Sequence, residues 1–272
     1  VALLYGLELS FNPFSTCPSY EAVADLPLEQ KLAGLRDPAM RAKLLAEPPA
    51  YRNPQMLAFM RSVENMYVLG DPPNYTPPRE QRLDARAAKL GITPLALAYD
   101  LLVSGDGRTL LFHPGANYTD SSDANMASML HHDDTVMALG DGGAHYGLIC
   151  DASYTTHALT YWTRDRKGER WSLPWVVQQL TDVPARLIGL GDRGRLAPGY
   201  KADLNVIDTD NLRVAAPHPV HNLPGGGRRL EQKAEGYRAT VVGGAVTYRD
   251  GAFTGALPGR LVRGARPAPR AA

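Results

Sequence analysis

Cysteine is scarce in this chain: Cys17 and Cys150 are the only two in 272 residues. Two thiols so far apart make no disulfide framework, and no Cys-x-x-Cys spacing suggests a metal knuckle. A reducing, cytoplasmic setting is expected, with a single bridge left open. No run of 18 apolar residues occurs, so no membrane span is expected. Lys and Arg total 29 against 28 Asp and Glu, a formal charge of +1. That balance gives no footprint for nucleic acid or an anionic membrane. There is no G-x-S-x-G elbow, no P-loop, no H-E-x-x-H and no G-x-G-x-x-G. An initiator Met is missing, and Val1-Ala-Leu-Leu-Tyr-Gly-Leu7 has neither a basic n-region nor a cleavage site. The expectation is a strand entered midway, or the new end of a processed chain.

What is present is ordinary globular material, 44% hydrophobic and 21% charged. Residues 1–11 are apolar and partly alternating, which predicts a strand. Residues 19–47 carry helical spacing, with Leu28, Leu32 and Leu35 on one face. Pro48 to Pro54 breaks that pattern, and residues 70–78 hold four prolines of a surface loop. Arg79 to Leu90 reads as an amphipathic helix. Thr93-Pro94 opens another, since Thr caps and Pro suits the first turn. Leu110-Leu-Phe112 predicts a short strand running into His113-Pro-Gly115. Ser122 caps a helix through Leu130, and Ser172 caps one holding Trp175, Val176, Val177 and Leu180. Thr135-Val-Met-Ala-Leu139 is wholly apolar, the pattern expected of a parallel strand buried on both faces. From Thr93 to Leu190 this alternation predicts a parallel α/β arrangement. After Gly191 the runs become short and β-rich. Val241 to Tyr248 reads as a hairpin turning at Gly243-Gly244, and Arg249-Asp-Gly251 as a further turn.

Several residues are candidates for chemistry. Asp141 follows the apolar run, and Gly142-Gly143 lets the backbone turn behind it. A carboxylate at a strand end can ligate a metal or take a proton from water. An Asp-Gly-Gly turn is the competing reading. His145, in the same loop, either binds substrate or bonds the backbone. Asn117 and Tyr118 follow a strand and can reach a polar substrate; Tyr118 can equally pack over a helix. Asp151 reads as a turn or cap carboxylate. His131-His132, at a helix end before Asp133-Asp134, reads as structural or solvated. His218-Pro-Val-His221 reads as a surface loop, since Pro219 opposes a helix. Gly225-Gly-Gly-Arg-Arg229 is basic and Gly-rich but bridges no strand to a helix N-terminus, so it is not read as a phosphate loop.

Gly194-Arg-Leu-Ala-Pro-Gly-Tyr-Lys-Ala-Asp-Leu-Asn-Val-Ile-Asp208 resembles the C-terminal signature of the amidohydrolase superfamily. Thr181-Asp-Val-Pro-Ala-Arg-Leu-Ile-Gly-Leu190 is similar to the helix that precedes it there. Leu139-Gly-Asp-Gly-Gly-Ala-His145 resembles the end of the eighth barrel strand. Trp162-Thr-Arg-Asp-Arg166 and Leu257-Pro-Gly-Arg-Leu-Val-Arg263 are similar to the N-acyl-D-amino-acid deacylase (D-aminoacylase) branch. The resemblance implies the C-terminal part of a (β/α)8 TIM-like barrel over residues 1–190, with a small β-sandwich subdomain over 191–272. It implies a hydrolase acting on the amide C–N bond of an N-acyl amino acid or peptide-like substrate. Asp141 would contact the metal and act as general base and acid; His145, Asn117 and Tyr118 would contact substrate.

The resemblance also implies zinc, one or two ions. No His-x-His pair occurs among the seven histidines, and neither the remaining family histidines nor the bridging Cys or Lys has a clear match. Most ligands are therefore expected outside this chain. A whole barrel needs about 250 residues, more than residues 1–190 supply. The expectation is a heteromer, in which an N-terminal half, as a second chain or an absent segment, completes the barrel. The family's Arg for the substrate carboxylate is also missing: its region reads Ser153-Tyr-Thr-Thr-His157. A non-catalytic amidohydrolase-derived subunit, and a cyclic-amide hydrolase or deaminase, are the alternative readings.

Overall fold

The computed structural model describes residues 2–115, 118–138 and 145–269. It is mixed α/β, and it divides into two compact units whose chain segments interleave. The first holds Val1–Ala127, Asp141–Asp151 and Ala216–Glu231; the second holds Ser128–Gly140, Ala152–Ala215 and Gln232–Ala272.

The first unit is built around a three-stranded sheet of β1 (Leu3–Tyr5), β2 (Tyr67–Leu69) and β3 (Leu110–His113), in the order β1-β3-β2. Both pairings are antiparallel, with Leu4 opposite Phe112 and Tyr67 opposite Phe112. Side chains alternate across a strand, and here both faces are buried. Tyr5 and Leu111 join one core with Phe14, Leu35, Met60 and Leu102. Leu4 and Phe112 join another with Tyr67, Leu69 and Leu230. The continuous apolar run at Leu110–Phe112 therefore reflects burial on two faces, not parallel pairing.

Helices cover the first of these cores: α1 (Glu21–Ala24), α2 (Leu28–Leu35), α3 (Pro38–Ala46), α4 (Pro54–Arg61), α5 (Leu83–Leu90) and α6 (Pro94–Leu102). Their starts follow local chemistry. Asp37 accepts from the Ala39 N–H, and Thr93 accepts from the Ala96 N–H at 3.2 Å, with Pro next in each case. At the head of α5, Asp84 is gripped by the Arg79 guanidinium (2.8 and 2.7 Å) and the Arg82 guanidinium (3.0 and 2.7 Å). The Arg82 bonds, with the Ala85 N–H and Arg79 assisting, hold its pKa down to about 2. A depressed carboxylate stabilises the fold above the unfolded pKa of about 4 and loses that contribution as pH falls. Asp84→Asn is expected to cost about 1–2 kcal/mol at pH 7. Urea titrations should show the difference shrinking between about pH 4 and pH 2.

A second sheet in this unit is the hairpin of β6 (His218–Leu223) and β7 (Gly227–Glu231). The 218–221 segment is thus a strand and not the expected loop. Pro219 is tolerated because a two-stranded ribbon leaves one backbone edge unpaired. The Gly-rich 225–227 stretch is its turn.

The chain passes between the units within α7 (Ala124–Leu130). In the second unit, residues 135–138 of the expected parallel strand are irregular. The Thr135 hydroxyl instead donates to the carbonyls of Met129 (2.6 Å) and His132 (2.8 Å), tying the segment to the end of α7. Then come α8 (Tyr154–Thr160), a π-helical turn at Tyr161–Asp165, α9 (Leu173–Leu180) and α10 (Asp182–Leu187).

The remaining strands are β4 (Leu204–Ile207), β5 (Arg213–Val214), β8 (Ala234–Glu235), β9 (Tyr237–Val242), β10 (Ala245–Arg249) and β11 (Ala252–Phe253). β11-β10-β9-β4 form an antiparallel sheet, and β5 pairs with β8. Gly243 and Gly244, at φ 56° and 83°, make the two-residue turn that the twist of a hairpin favours. Among the described residues every named sheet is small, antiparallel and open, so the expected parallel, barrel-like alternation is not formed within them.

Candidate active site

β1 is the element that brings the candidate segments together. One edge pairs with β3, whose end leads to residues 116–118. The other edge meets the segment after His145: the Leu4 N–H donates to the Leu148 carbonyl at 2.8 Å, and Leu3 bridges Ile149. Asp141 and Asn117 themselves lie outside the described residues.

His145 is exposed and has φ 54°, a left-handed conformation uncommon for a residue with a side chain. Its carbonyl accepts from the N–H groups of Leu148 (2.7 Å) and Ile149 (2.9 Å), which closes a tight turn. The turn is seated on the loop after β1 through the Ser10 N–H, which donates to the Gly147 carbonyl at 3.0 Å. A Cβ on Gly147 would stand 2.1 Å from the Ser10 hydroxyl oxygen. That oxygen ends a rotatable side chain on an exposed residue, so Gly147→Ala is expected to cost at most about 1 kcal/mol. Chemical denaturation measures this; a clearly larger loss would mean that the turn itself is displaced.

Tyr118 is committed to packing. Its hydroxyl donates to the Pro77 carbonyl at 2.9 Å, and its ring lies 6.4 Å from that of Tyr67. Using that hydroxyl on a substrate would require exchanging the Pro77 bond. His131 stacks on Trp175 at 4.8 Å, and the His132 Nδ1 accepts from the Asp134 N–H at 3.1 Å, as expected of structural residues.

Sequence reasoning passed over His113. It ends β3, where its Nδ1 accepts from the Gly115 N–H at 3.0 Å and its ring lies 5.0 Å from Phe59. Burial lowers its pKa, only partly opposed by Glu64, so it is neutral at pH 7 with its proton on Nε2. The available signal was a histidine at a strand end before Pro-Gly.

Cys150 follows the bridge at Ile149. Burial, reinforced by Asp151, pushes its pKa up to about 11. Burial also raises Cys17, which outweighs the nearby Arg61. Neither is a nucleophile at pH 7. Iodoacetamide is therefore expected to label native protein far more slowly than urea-unfolded protein, read as mass added per minute. Equal rates would show that one thiolate is exposed.

Among the described residues no group of three or more His, Cys, Asp or Glu could hold a metal ion. The described donors therefore do not fit the zinc centre that the resemblance implies. Nor does any described helix have the length and apolarity to cross a membrane.

Residues 1–248 match the amidohydrolase family, and the chain belongs to that family. A 47-residue stretch, 17% of this chain and 10% of the relative, is 47% identical to an N-acyl-D-glutamate deacylase of Alcaligenes xylosoxydans xylosoxydans. The solved structure of a D-aminoacylase, described as defining a novel subset of amidohydrolases, shares 19% identity at a TM-score of 0.38. That match covers 70% of this chain and 36% of the solved one. The chain thus spans about a third of that relative. The deacylase carries a name from the branch that the Trp162–Arg166 and Leu257–Arg263 motifs resemble.

Proposed function

We propose that this chain is part of a hydrolase that cleaves the amide bond of an N-acyl amino acid. The amidohydrolase match over residues 1–248 carries the reading. The deacylase named among its relatives supports the substrate class.

In this reading Asp141 takes a proton from the attacking water as the C–O bond forms. It passes that proton to the amine nitrogen as the C–N bond breaks. His145 lies four residues on, at the exposed turn, and orients the acyl carbonyl. Asn117 and Tyr118, which follow β3 in the sequence, would contact the substrate, Tyr118 by exchanging its bond to Pro77. Zinc, one or two ions, would contact Asp141 and draw most of its ligands from outside the 272 residues, since the sequence holds no His-x-His pair. An N-terminal half carrying a His-x-His pair would be the partner. The barrel implied by the resemblance would then be assembled from both halves.

The test is amine release from N-acyl-D-glutamate and its L enantiomer by protein isolated in its native assembly. Hydrolysis of one of them, with a second polypeptide seen by intact mass, is the expected result. A single 29.5 kDa species without amine release would favour the non-catalytic subunit instead.

A further inference from the structure

Three Asp–Gly pairs occur in the sequence: Asp106-Gly107, Asp141-Gly142 and Asp250-Gly251. Such a pair can rearrange without an enzyme. The glycine backbone nitrogen attacks the aspartate Cγ, and the new N–Cγ bond closes a five-membered succinimide. The Cγ–OH bond breaks, and water leaves with the amide proton. A second water then reopens the ring. Where it adds at the former main-chain carbonyl, the backbone is left running through the side chain, as isoaspartate. Water is lost once and gained once, and nothing is oxidised or reduced. Glycine favours the attack because no side chain crowds its nitrogen. The pair at 141–142 lies outside the described residues, and the other two stand in opposite surroundings.

At Asp106 the reacting groups are engaged. The Gly107 N–H donates to the Ser104 carbonyl at 3.0 Å. The carboxylate accepts from the Arg108 N–H at 3.1 Å and meets the Arg108 guanidinium at 3.5 Å. The Leu32 side chain would stand 2.7 Å from a Cβ on Gly107, so this side of the backbone is crowded. Closing the ring means breaking those bonds first.

At Asp250 these restraints fall away. Asp250 and Gly251 form the turn between β10 and β11, at φ 45° and 80°. The Gly251 N–H donates to no group among the described residues. The Asp250 side chain is 62% exposed and touches Arg238 at 3.5 Å, a guanidinium already held by Asp208 at 2.7 Å. No atom stands within 4 Å of where a Cβ on Gly251 would be. β11 is a two-residue edge strand, joined to β10 through Tyr248–Phe253 and Arg249–Ala252. A turn beside so short a pairing bends at little cost.

We propose that Asp250–Gly251 is an isoaspartate-forming modification site, and that the fold, not the dipeptide, selects it over Asp106–Gly107. Isoaspartate at 250 adds a methylene to the main chain of a two-residue turn. The turn then no longer matches the strands it joins, and the Arg249–Ala252 pairing next to it is lost.

The test is ageing of the native protein at pH 7. Samples are digested with an endoproteinase that cuts before aspartate but not before isoaspartate, and the peptides are mapped by mass. The cut before Asp250 should disappear about tenfold faster than the cut before Asp106, a barrier difference of about 1.4 kcal/mol. In urea the two cuts should disappear at similar rates, because the bonds that protect Asp106 are gone. Loss at Asp250 no faster than at Asp106, or an excess that persists unchanged in urea, would overturn the selection by the fold. Asp250→Asn tests the ring itself. Ammonia leaves in place of water, and aspartate and isoaspartate should appear together at 250 as the two openings of one imide. Aspartate alone would mean direct hydrolysis and would overturn the succinimide route.

Discussion

Acidification from pH 7 to pH 4 is expected to destabilise the second unit by about 1–3 kcal/mol, through a single imidazole. His157 lies in α8 with its ring flat on Tyr161, at 5.1 Å and 9° between planes. Enclosure by the protein pushes its pKa down to about 4, although Asp165 nearby favours the charged form. The folded state therefore resists a proton that the unfolded state accepts from about pH 6.5 downward. The contribution is complete above that pH, falls through the interval, and levels out below pH 4 for this group. The lower end of the range applies because the residue keeps some exposed surface. All three tryptophans, Trp162, Trp171 and Trp175, lie in this unit. Urea unfolding followed by tryptophan fluorescence thus reads the state of this unit directly. His157→Phe keeps an aromatic ring for Tyr161 and removes the titration. Its stability should be nearly flat from pH 6.5 to pH 4; a variant with the parent's slope would exonerate His157.

The largest loss of stability is expected from Trp171→Ala, about 3–5 kcal/mol. Trp171 is 8% exposed. It stacks on Trp162 at 4.2 Å and 13°, and meets Trp175 edge-on at 4.9 Å. His131 lies 5.7 Å from Trp171 and stacks on Trp175 at 4.8 Å, and the Arg166 guanidinium lies 4.9 Å from the Trp162 ring centre. Its backbone is also held, with the Trp171 N–H donating to the Trp162 carbonyl at 2.8 Å. Deleting the ring leaves a cavity between two others that cannot both close over it. It also removes aromatic contacts worth about 0.5–1.5 kcal/mol each beyond burial. Trp171→Phe should recover about half the loss. Denaturant midpoints of the three proteins check this, and a loss under about 1 kcal/mol would show that the stack is ornamental to folding.

Features set by a few adjacent residues were legible in the sequence. Thr93 and Ser172 cap as expected, and Gly243-Gly244 turns the hairpin. These depend on backbone chemistry within four residues, which the sequence displays directly. Partnership between distant segments was not legible. Leu110–Phe112 read as a short strand, but nothing in it chose antiparallel neighbours over parallel ones. Thr135–Met137 looks like a strand by hydropathy, yet the Thr135 hydroxyl finds helix-end carbonyls. Pro219 argued against a helix at 218–221 without revealing the hairpin. At the site, the motif around Asp141 was readable as a family resemblance, whereas the commitment of Tyr118 to Pro77 needed coordinates.

On the proposed reading, Asp141 is the proton-transferring carboxylate of an amide hydrolase. The most direct measurement is the rate of amine release from N-acyl-D-glutamate by the native assembly, compared with Asp141→Asn. The substitution keeps size and shape but cannot carry the proton. The account predicts a loss of turnover of about 100-fold or more with substrate binding and circular dichroism unchanged. An Asp141→Asn protein that folds normally and turns over at the parent's rate would contradict it.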